Sequence, residues 1–597
     1  MRYLLELSFG PVQDFIAAAR RSADLWAGSR LLSQVAQAAG QALLDAGAEL
    51  IYPATERVRP ANDNPVGKSN LSNVMLASVA GDAAAARQAA QRAQEAARGV
   101  LREAAAEALR KLEELEPSRE RILAQIDDAL ESFAAWAEWA REEDYPAAYQ
   151  RLKQAFAARK NTRDFAPHKS GAAVPKNSLD GMRETVLPEN PSRLLQRRLQ
   201  LTDGERLDAL GVIKRLRGRD APEGFVPLSR VAVYGWVQQL AEADMAALCD
   251  RYERLVKLDY ATRVNGQAFQ MFPYDGALLY REPLERARRE AISDGDGDAL
   301  AALDALRDAL RPLWRKLGQP IPYAAMIMAD GDQMGKCVGS ARTANDHRAI
   351  TQAVAGFADR AYQILADCEG QTFYAGGEDV MGVLPLASCV QAPRRLEAAF
   401  AETIHALPLD LQHPTLRAGV AIAHIREPLG VIRDAAQKAE KFAKGEAGSL
   451  HQGHALGLWL TIRAGHELKV RLPFGDNEAF NALQHWVTAY GNGEFPARLG
   501  YDTRAVVLRC RGQRLPLGVA RAEFIRLLQR ARESGGQREL AIHWQDALEG
   551  RLSALIARQA TPDEGLDALE QLGTELILAR WLSARTQKDL PLSGGDW

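Results

Sequence analysis

Two short acidic motifs hold the residues best suited to chemistry. Asp330-Gly331-Asp332 follows the apolar run IPYAAMIMA, and Glu378-Asp379 follow Gly376-Gly377 between the runs TFYA and VMGVLPL. Carboxylates are hard oxygen ligands, so Asp330, Glu378 and Asp379 together would suit Mg²⁺ or Mn²⁺. Gly376 and Gly377 permit a tight turn and leave room for a nucleotide to approach the backbone. Asp332 and Gln333 stand where a strand gives way to a helix, whose first N–H groups can face phosphates. Either motif alone is an ordinary surface turn, because Gly and Asp are common turn residues. Their joint placement, each at the end of an apolar strand, points to a site. Lys444, on a later helix, is either a solvated lysine or a charge partner for a triphosphate.

Other catalytic patterns are missing from the sequence. The five cysteines (Cys249, Cys337, Cys368, Cys389 and Cys510) are scattered with no CxxC pair, which argues against a disulfide framework and a cysteine zinc site. No His-Asp dipeptide occurs, and neither a GxxxxGK[ST] nor a GxSxG motif is present. Cys337 and His424 are expected to be packed residues.

The elements that must position the two motifs follow from hydrophobic periodicity. After residue 320 the order is strand, helix, two strands across a tight turn, helix, strand. This βαββαβ order is that of a ferredoxin-like sheet, which brings its first strand beside its central hairpin. Carboxylates at those two places would converge. A similar opening stands at the N-terminus. Residues 2–9 predict a buried strand, Gly10-Pro11 a turn, and the following run a helix. With an offset of 320, Tyr3 meets Tyr323, Gly10 meets Asp330 and Gln13 meets Gln333. The first copy has glycine in place of the aspartate, and its hairpin NDNPVGKSN lacks the Gly-Gly and acidic pair. Only the second copy could hold metal in this way.

Residues 82–165 predict helix broken at Pro117 and Pro146, with Trp136 and Trp139 on one helix face. Lys214, Arg215, Arg217 and Arg219 form a basic run, either a solvated face or a phosphate-contacting patch. Residues 231–320 and the stretch from about 465 onward predict mainly helix.

Composition limits the function classes. The chain has 597 residues, 47% hydrophobic and 25% charged, enough for several cores. Lys and Arg number 75 against 77 Asp and Glu, a net charge of −2 that excludes a general basic coat. No apolar run approaches the ~18–20 residues that span a bilayer. The opening MRYLLELSFG is too short for a signal peptide and carries Glu6 too early. A cytoplasmic, reduced, multidomain protein is expected.

The segments FGPVQDFIAAARRSADLWAGSRLLS, KNSLDGMRETVL, GERLDALGVIKR, ADGDQMGK, YAGGEDV and GVAIAHIREPL run in order from residue 9 to about 445. Together they resemble the large, polymerase-cyclase subunit of type III-B CRISPR effector (Cmr) complexes. The resemblance implies an α+β multidomain fold with two ferredoxin-like, cyclase-like Palm domains. Residues 1–165 would form a non-catalytic first Palm with a helical extension. Residues 166–315 would form a middle mixed or helical domain, 316–465 a second Palm with the catalytic hairpin, and 466–597 a helical C-terminal domain. It further implies that crRNA-guided capture of target RNA switches on conversion of ATP to cyclic oligoadenylate, a second messenger. Asp330, Glu378 and Asp379 would be the catalytic metal ligands. A second nucleotide would sit against the first Palm near Gly10 and Gln13. The partners would be other Cmr subunits, crRNA and target RNA, with no membrane.

Three departures from that family's pattern matter. Its hairpin is usually GGDD, and Glu378 adds one methylene. The chain opens at the first Palm without an HD pair, so no nuclease activity is expected of it. Asn177 and Ser178 stand near the place of the usual cysteines, so no zinc is expected there. Two other readings keep the fold: a Palm that joins AMP to another acceptor such as S-adenosylmethionine, and an inactive scaffold subunit.

Overall fold

The computed structural model describes residues 1–59, 71–112, 117–162, 174–202, 204–220, 225–407, 414–445, 452–462, 466–533, 541–558 and 565–590. The hairpin NDNPVGKSN lies outside the described residues. Among the described residues there are two sheets, each built around a βαββαβ unit.

The first sheet contains β1 (Arg2–Gly10), β2 (Glu49–Tyr52), β3 (Val74–Ala80) and β4 (Glu131–Trp139), in the order β2-β3-β1-β4. β1 lies between two antiparallel partners, β3 and β4, and is buried along most of its length. The connections are the helices Ser22–Asp45 and Ala83–Lys111. The second starts at Asp82, whose side chain accepts a hydrogen bond from the Ala85 N–H. It buries Ala86, Ala89, Ala93, Ala97, Leu101, Ala104 and Ala108, a stripe at helical spacing.

β4 corrects the expectation of helix through residue 165. ESFAAWAEW is rich in Ala and Glu and so looks helical, but it pairs with β1 from Glu131 to Trp139. On a strand, residues three apart point to opposite faces. Trp139 is buried beside Tyr145, with ring centroids 5.1 Å apart, whereas Trp136 packs on the other side of the sheet.

The second sheet contains β5 (Tyr323–Asp332), β6 (Gln371–Gly376), β7 (Asp379–Leu384), β8 (Thr415–His424), β9 (Ala455–Ile462) and β10 (His466–Pro473), in the order β10-β9-β8-β5-β7-β6. Its inner four strands, β8-β5-β7-β6, repeat the order of the first sheet. The suspected duplication therefore has a structural counterpart, with β5 in the place of β1. β9 adds parallel to β8 and β10 adds antiparallel to β9. β10 corrects the expectation of helix from about 465. In HELKVRLP, Leu468, Val470 and Leu472 are buried, a period of two.

The middle of the chain is mainly helical, with its own core around Trp236, Tyr252, Phe272 and Leu306. The helices Asn477–Gly491, Leu499–Gly512 and Ile542–Ile556 pack around Gly565–Ser583. That last helix is buried almost all round, and inside the bundle Arg551 pairs with Glu575 at 2.8 Å.

The basic run at 214–219 is neither a solvated face nor a phosphate patch. On the helix Ala209–Arg219, Lys214 and Arg215 are 1% and 2% exposed. Lys214 Nζ donates to the carbonyls of Phe15 and Ala18 at 2.7 and 2.6 Å. Burial pushes its pKa down to about 8, against the charges of Asp208 and Asp24. Arg215 bonds Asp24 and Glu205 at 2.9 and 2.8 Å. Arg217 reaches Gln34 and Glu107, and Arg219 reaches Asp259. The run clamps this helix onto the first βαββαβ unit.

Candidate active site

The site forms where β5 ends beside the turn between β6 and β7. Apolar residues place it: Ala325, Met326 and Ile327 of β5 are fully buried, which fixes the strand at the centre of the sheet. β5 pairs with β7 up to Ala329 opposite Val380, so Asp330 and Asp379 come next on adjoining strands. On its other edge β5 pairs with β8, with Asp330 opposite Arg417 and Asp332 opposite Thr415.

The Gly-Gly turn is required by geometry. Gly377 has φ +74°, a conformation that disfavours side chains. A Cβ at Gly376 would lie 2.3 Å from the Tyr374 hydroxyl oxygen, so any side chain there would have to push that ring aside. A Cβ at Gly331 would lie 3.0 Å from that of Glu378, which shows how closely strand and turn approach.

The structure brings Asp330, Asp332, Glu378 and Asp379 to the same end of the second sheet. Asp379 and Asp330 stand next to one another at the adjoining ends of β7 and β5, and each bears on the other's charge. Burial pushes Asp379 up to about 8, followed by Asp330 and Glu378, with Arg417 opposing. Glu378 is raised by burial and by Asp330. Asp332 is raised by burial, against the pull of Arg417 and Lys444. Lys444 thus stands within electrostatic reach of Asp332. Gln333 caps the short helix Met334–Gly339 with φ +65°, a left-handed conformation for a non-glycine residue. Cys337, on that helix, is buried as expected, and Glu378 helps raise its thiol. His424 packs against Tyr323 and accepts from the Arg426 N–H.

Gly10 and Gln13 belong to the first unit. Gly10 ends β1 opposite Glu131, and it contributes no side chain. The side chain of Gln13 lies outside the described residues.

Sequence reasoning missed Arg417. Its guanidinium contacts Asp330 and Asp332 through its two terminal nitrogens and Glu440 through Nε. Glu440 comes from the helix Leu429–Lys444, which lies on the sheet through the small residues Ala436, Ala439 and Ala443. A signal was present: one arginine inside the apolar strand TLRAGVAIAH. Tyr374 was also missed; burial and then the charges of Asp379 and Glu378 raise its phenol.

Five carboxyl groups therefore surround two cations, Arg417 and Lys444. Burial first, and the neighbouring negative charge after it, raise Asp332, Glu378 and Asp379 above ordinary carboxyls. The oxygen Asp332 Oδ2 is buried with no hydrogen-bond partner among the described residues. Crowded carboxylates and an orphaned buried oxygen match the donor chemistry of a hard divalent cation. The side chains are not yet spread as a cage. Among the described residues, no group of three or more His, Cys, Asp or Glu is arranged to hold a metal ion. Arg417 supplies the positive charge instead.

Comparison with known proteins gives two domain matches. Residues 323–450 match the second palm domain of Cas10/Cmr2, and residues 4–114 match the N-terminal domain of the CRISPR-associated protein Cmr2. A relative in Pyrococcus furiosus, the CRISPR system Cmr subunit Cmr2, is 28% identical over 183 residues. That match covers 26% of this chain and 21% of the relative, so the chain spans about a fifth of the relative's length. Among solved structures, the type III-B Cmr-beta complex in its apo state contains a chain that matches with a TM-score of 0.58 at 13% identity. The match covers 85% of this chain and 75% of that one. The same complex bound to cognate target RNA matches with a TM-score of 0.58, at 13% identity and over 85% and 76% of the two chains. At this identity the likeness speaks for the fold.

Proposed function

We propose, from the premise that this chain belongs to the Cas10/Cmr2 family, that it is the large subunit of a type III-B CRISPR effector complex and a nucleotidyl transferase acting on ATP. The 3′-hydroxyl of one ATP attacks the α-phosphorus of another. The new bond is a phosphodiester, the bond to the bridging oxygen breaks, and pyrophosphate leaves. Repetition followed by ring closure gives cyclic oligoadenylate. Capture of target RNA by the crRNA-loaded complex switches the reaction on.

Asp330, Glu378 and Asp379 are the residues that would hold magnesium or manganese. When bound there, such an ion offsets phosphate charge and lowers the pKa of the attacking hydroxyl. The chain's own groups do the remaining work. The Gly376-Gly377 turn keeps side chains away from the phosphates. Lys444 and Arg417 contribute positive charge at the strand end. Gly10, in the matching position of the first unit, leaves open space where its counterpart carries a carboxylate, which suits a second nucleotide.

One observation carries this reading: the juxtaposition of Asp330 and Asp379 at the adjoining ends of β5 and β7, with Glu378 in the turn beside them. Two neighbouring carboxyls whose charges oppose each other are an arrangement that a divalent cation relieves. The test is to incubate the chain, in its complex and with matching target RNA, with labelled ATP and Mg²⁺ or Mn²⁺. RNA-dependent product that is lost in Asp379→Ala is expected. Intact assembly without product, even with S-adenosylmethionine supplied as acceptor, would leave a scaffold subunit instead. Mass spectrometry of the product separates oligoadenylate from an AMP conjugate.

A further inference from the structure

We infer that Arg417 is a built-in counter-ion that competes with the divalent cation and yields Asp330 to it. The inference rests on the proposed metal site and adds to it a residue and a mode of control.

Arg417 is held by its backbone, since β8 fixes it opposite Asp330 in the ladder. Its three donor nitrogens go to three different carboxylates: Asp330, Asp332 and Glu440. The side chains of Asp332 and Glu440 are 10% and 12% exposed, whereas that of Asp330 is 30% exposed. Asp330 is thus the most easily exchanged partner. If it turns to a cation, the guanidinium keeps two buried carboxylates and is not left unpaired. A positive charge in contact with a ligand opposes a second positive charge on that ligand. Glu440 acts in the opposite sense, because it draws Arg417 away from Asp330.

This arrangement predicts opposite effects from two neighbouring residues. Mn²⁺ affinity of the full chain is measured by titration of the free-ion electron paramagnetic resonance signal, without nucleotide. Arg417→Gln is expected to bind Mn²⁺ about tenfold or more tightly than the unaltered chain. Glu440→Gln is expected to bind it severalfold more weakly, because Arg417 then leans wholly on Asp330 and Asp332. Arg417→Lys keeps the charge and should stay near the unaltered affinity. A purely structural role for Arg417 would weaken binding in every variant. Unchanged or weaker binding in a folded Arg417→Gln overturns the inference. If that variant does not fold, unchanged or tighter binding in Glu440→Gln overturns it. Asp379→Asn separates the two levels. Mn²⁺ binding that Asp379→Asn does not weaken overturns the metal reading itself, and this inference falls with it.

Discussion

Asp379 and Asp330 stand side by side at the adjoining ends of β7 and β5, and the Asp330 charge adds to burial in raising the Asp379 carboxyl. Burial and the Asp330 charge favour the protonated form of Asp379, and Glu378 adds a third acidic group beside them. This crowding works against folding when no cation is bound. Asp379→Asn keeps the shape and removes one acid. The variant should be more stable than the unaltered chain in EDTA, by about 1–2 kcal/mol, and should make no product. Urea denaturation in EDTA checks the first outcome, and labelled ATP checks the second. Equal or lower stability of the variant would show that the carboxyls are not in conflict.

Gly376 is fixed by Tyr374 rather than by its own backbone. A Cβ there would lie 2.3 Å from the phenol oxygen and 2.6 Å from its ring carbon. Gly376→Ala should therefore destabilise the chain by about 1–3 kcal/mol through overpacking. Adding Tyr374→Leu should recover much of that loss, since the obstructing ring is gone. A double variant no more stable than the single one would place the constraint elsewhere. The measurement is the denaturation midpoint of the two variants side by side.

Arg215 is buried with two carboxylates, Asp24 and Glu205, all of them at most 4% exposed at the side chain. It also donates to the Leu199 carbonyl at 2.8 Å. Arg215→Met fills similar volume but leaves two buried carboxylates unpaired. A loss of about 3–5 kcal/mol is expected. Arg215→Lys should also be destabilising, because one ammonium cannot span the separate carboxylates that a guanidinium fork reaches. Chemical denaturation of both variants tests this, and a neutral Arg215→Met would mean that the carboxylates are wetter than their burial implies.

The site residues Asp330, Glu378 and Asp379 were legible in the sequence because turn chemistry and apolar strands mark them locally. The strand order of the second unit was legible for the same reason. Arg417 was not, since its partners lie on β5 and on the helix Leu429–Lys444, and the ladder that joins them is a long-range fact. Lys214 and Arg215 misled in the opposite direction. A basic run looks solvated until Asp24, nearly two hundred residues earlier, is brought against it. β4 and β10 were missed on composition: ESFAAWAEW is rich in helix formers, and pairing with β1 overrides that local preference. Local pattern thus reveals what a turn requires, while counter-charges and edge strands depend on the assembled sheet.

The two units meet at His347, and this contact should make the chain sensitive to acid. His347, on the helix Ala344–Asp367, is 1% exposed. Its Nε2 lies 2.9 Å from the Val338 carbonyl and must donate to it. Nδ1 is then the acceptor, 2.6 Å from the hydroxyl of Tyr145, which lies on the helix beside β4. Burial pushes the imidazole pKa down to about 4, with the Lys153 charge acting in the same direction. The folded value is thus below the unfolded value of about 6.5, so the unfolded chain takes up the proton first. Stability from this group is fully present above about pH 6.5 and is lost as pH falls toward 4. The expected slope is about 1.4 kcal/mol per pH unit at most. His347→Gln removes the titration while keeping a polar side chain. It should be less stable than the unaltered chain at pH 7, and the gap should close or reverse by pH 4.5. Denaturation curves at the two pH values decide the matter, and a gap that stays constant would assign acid sensitivity to other groups.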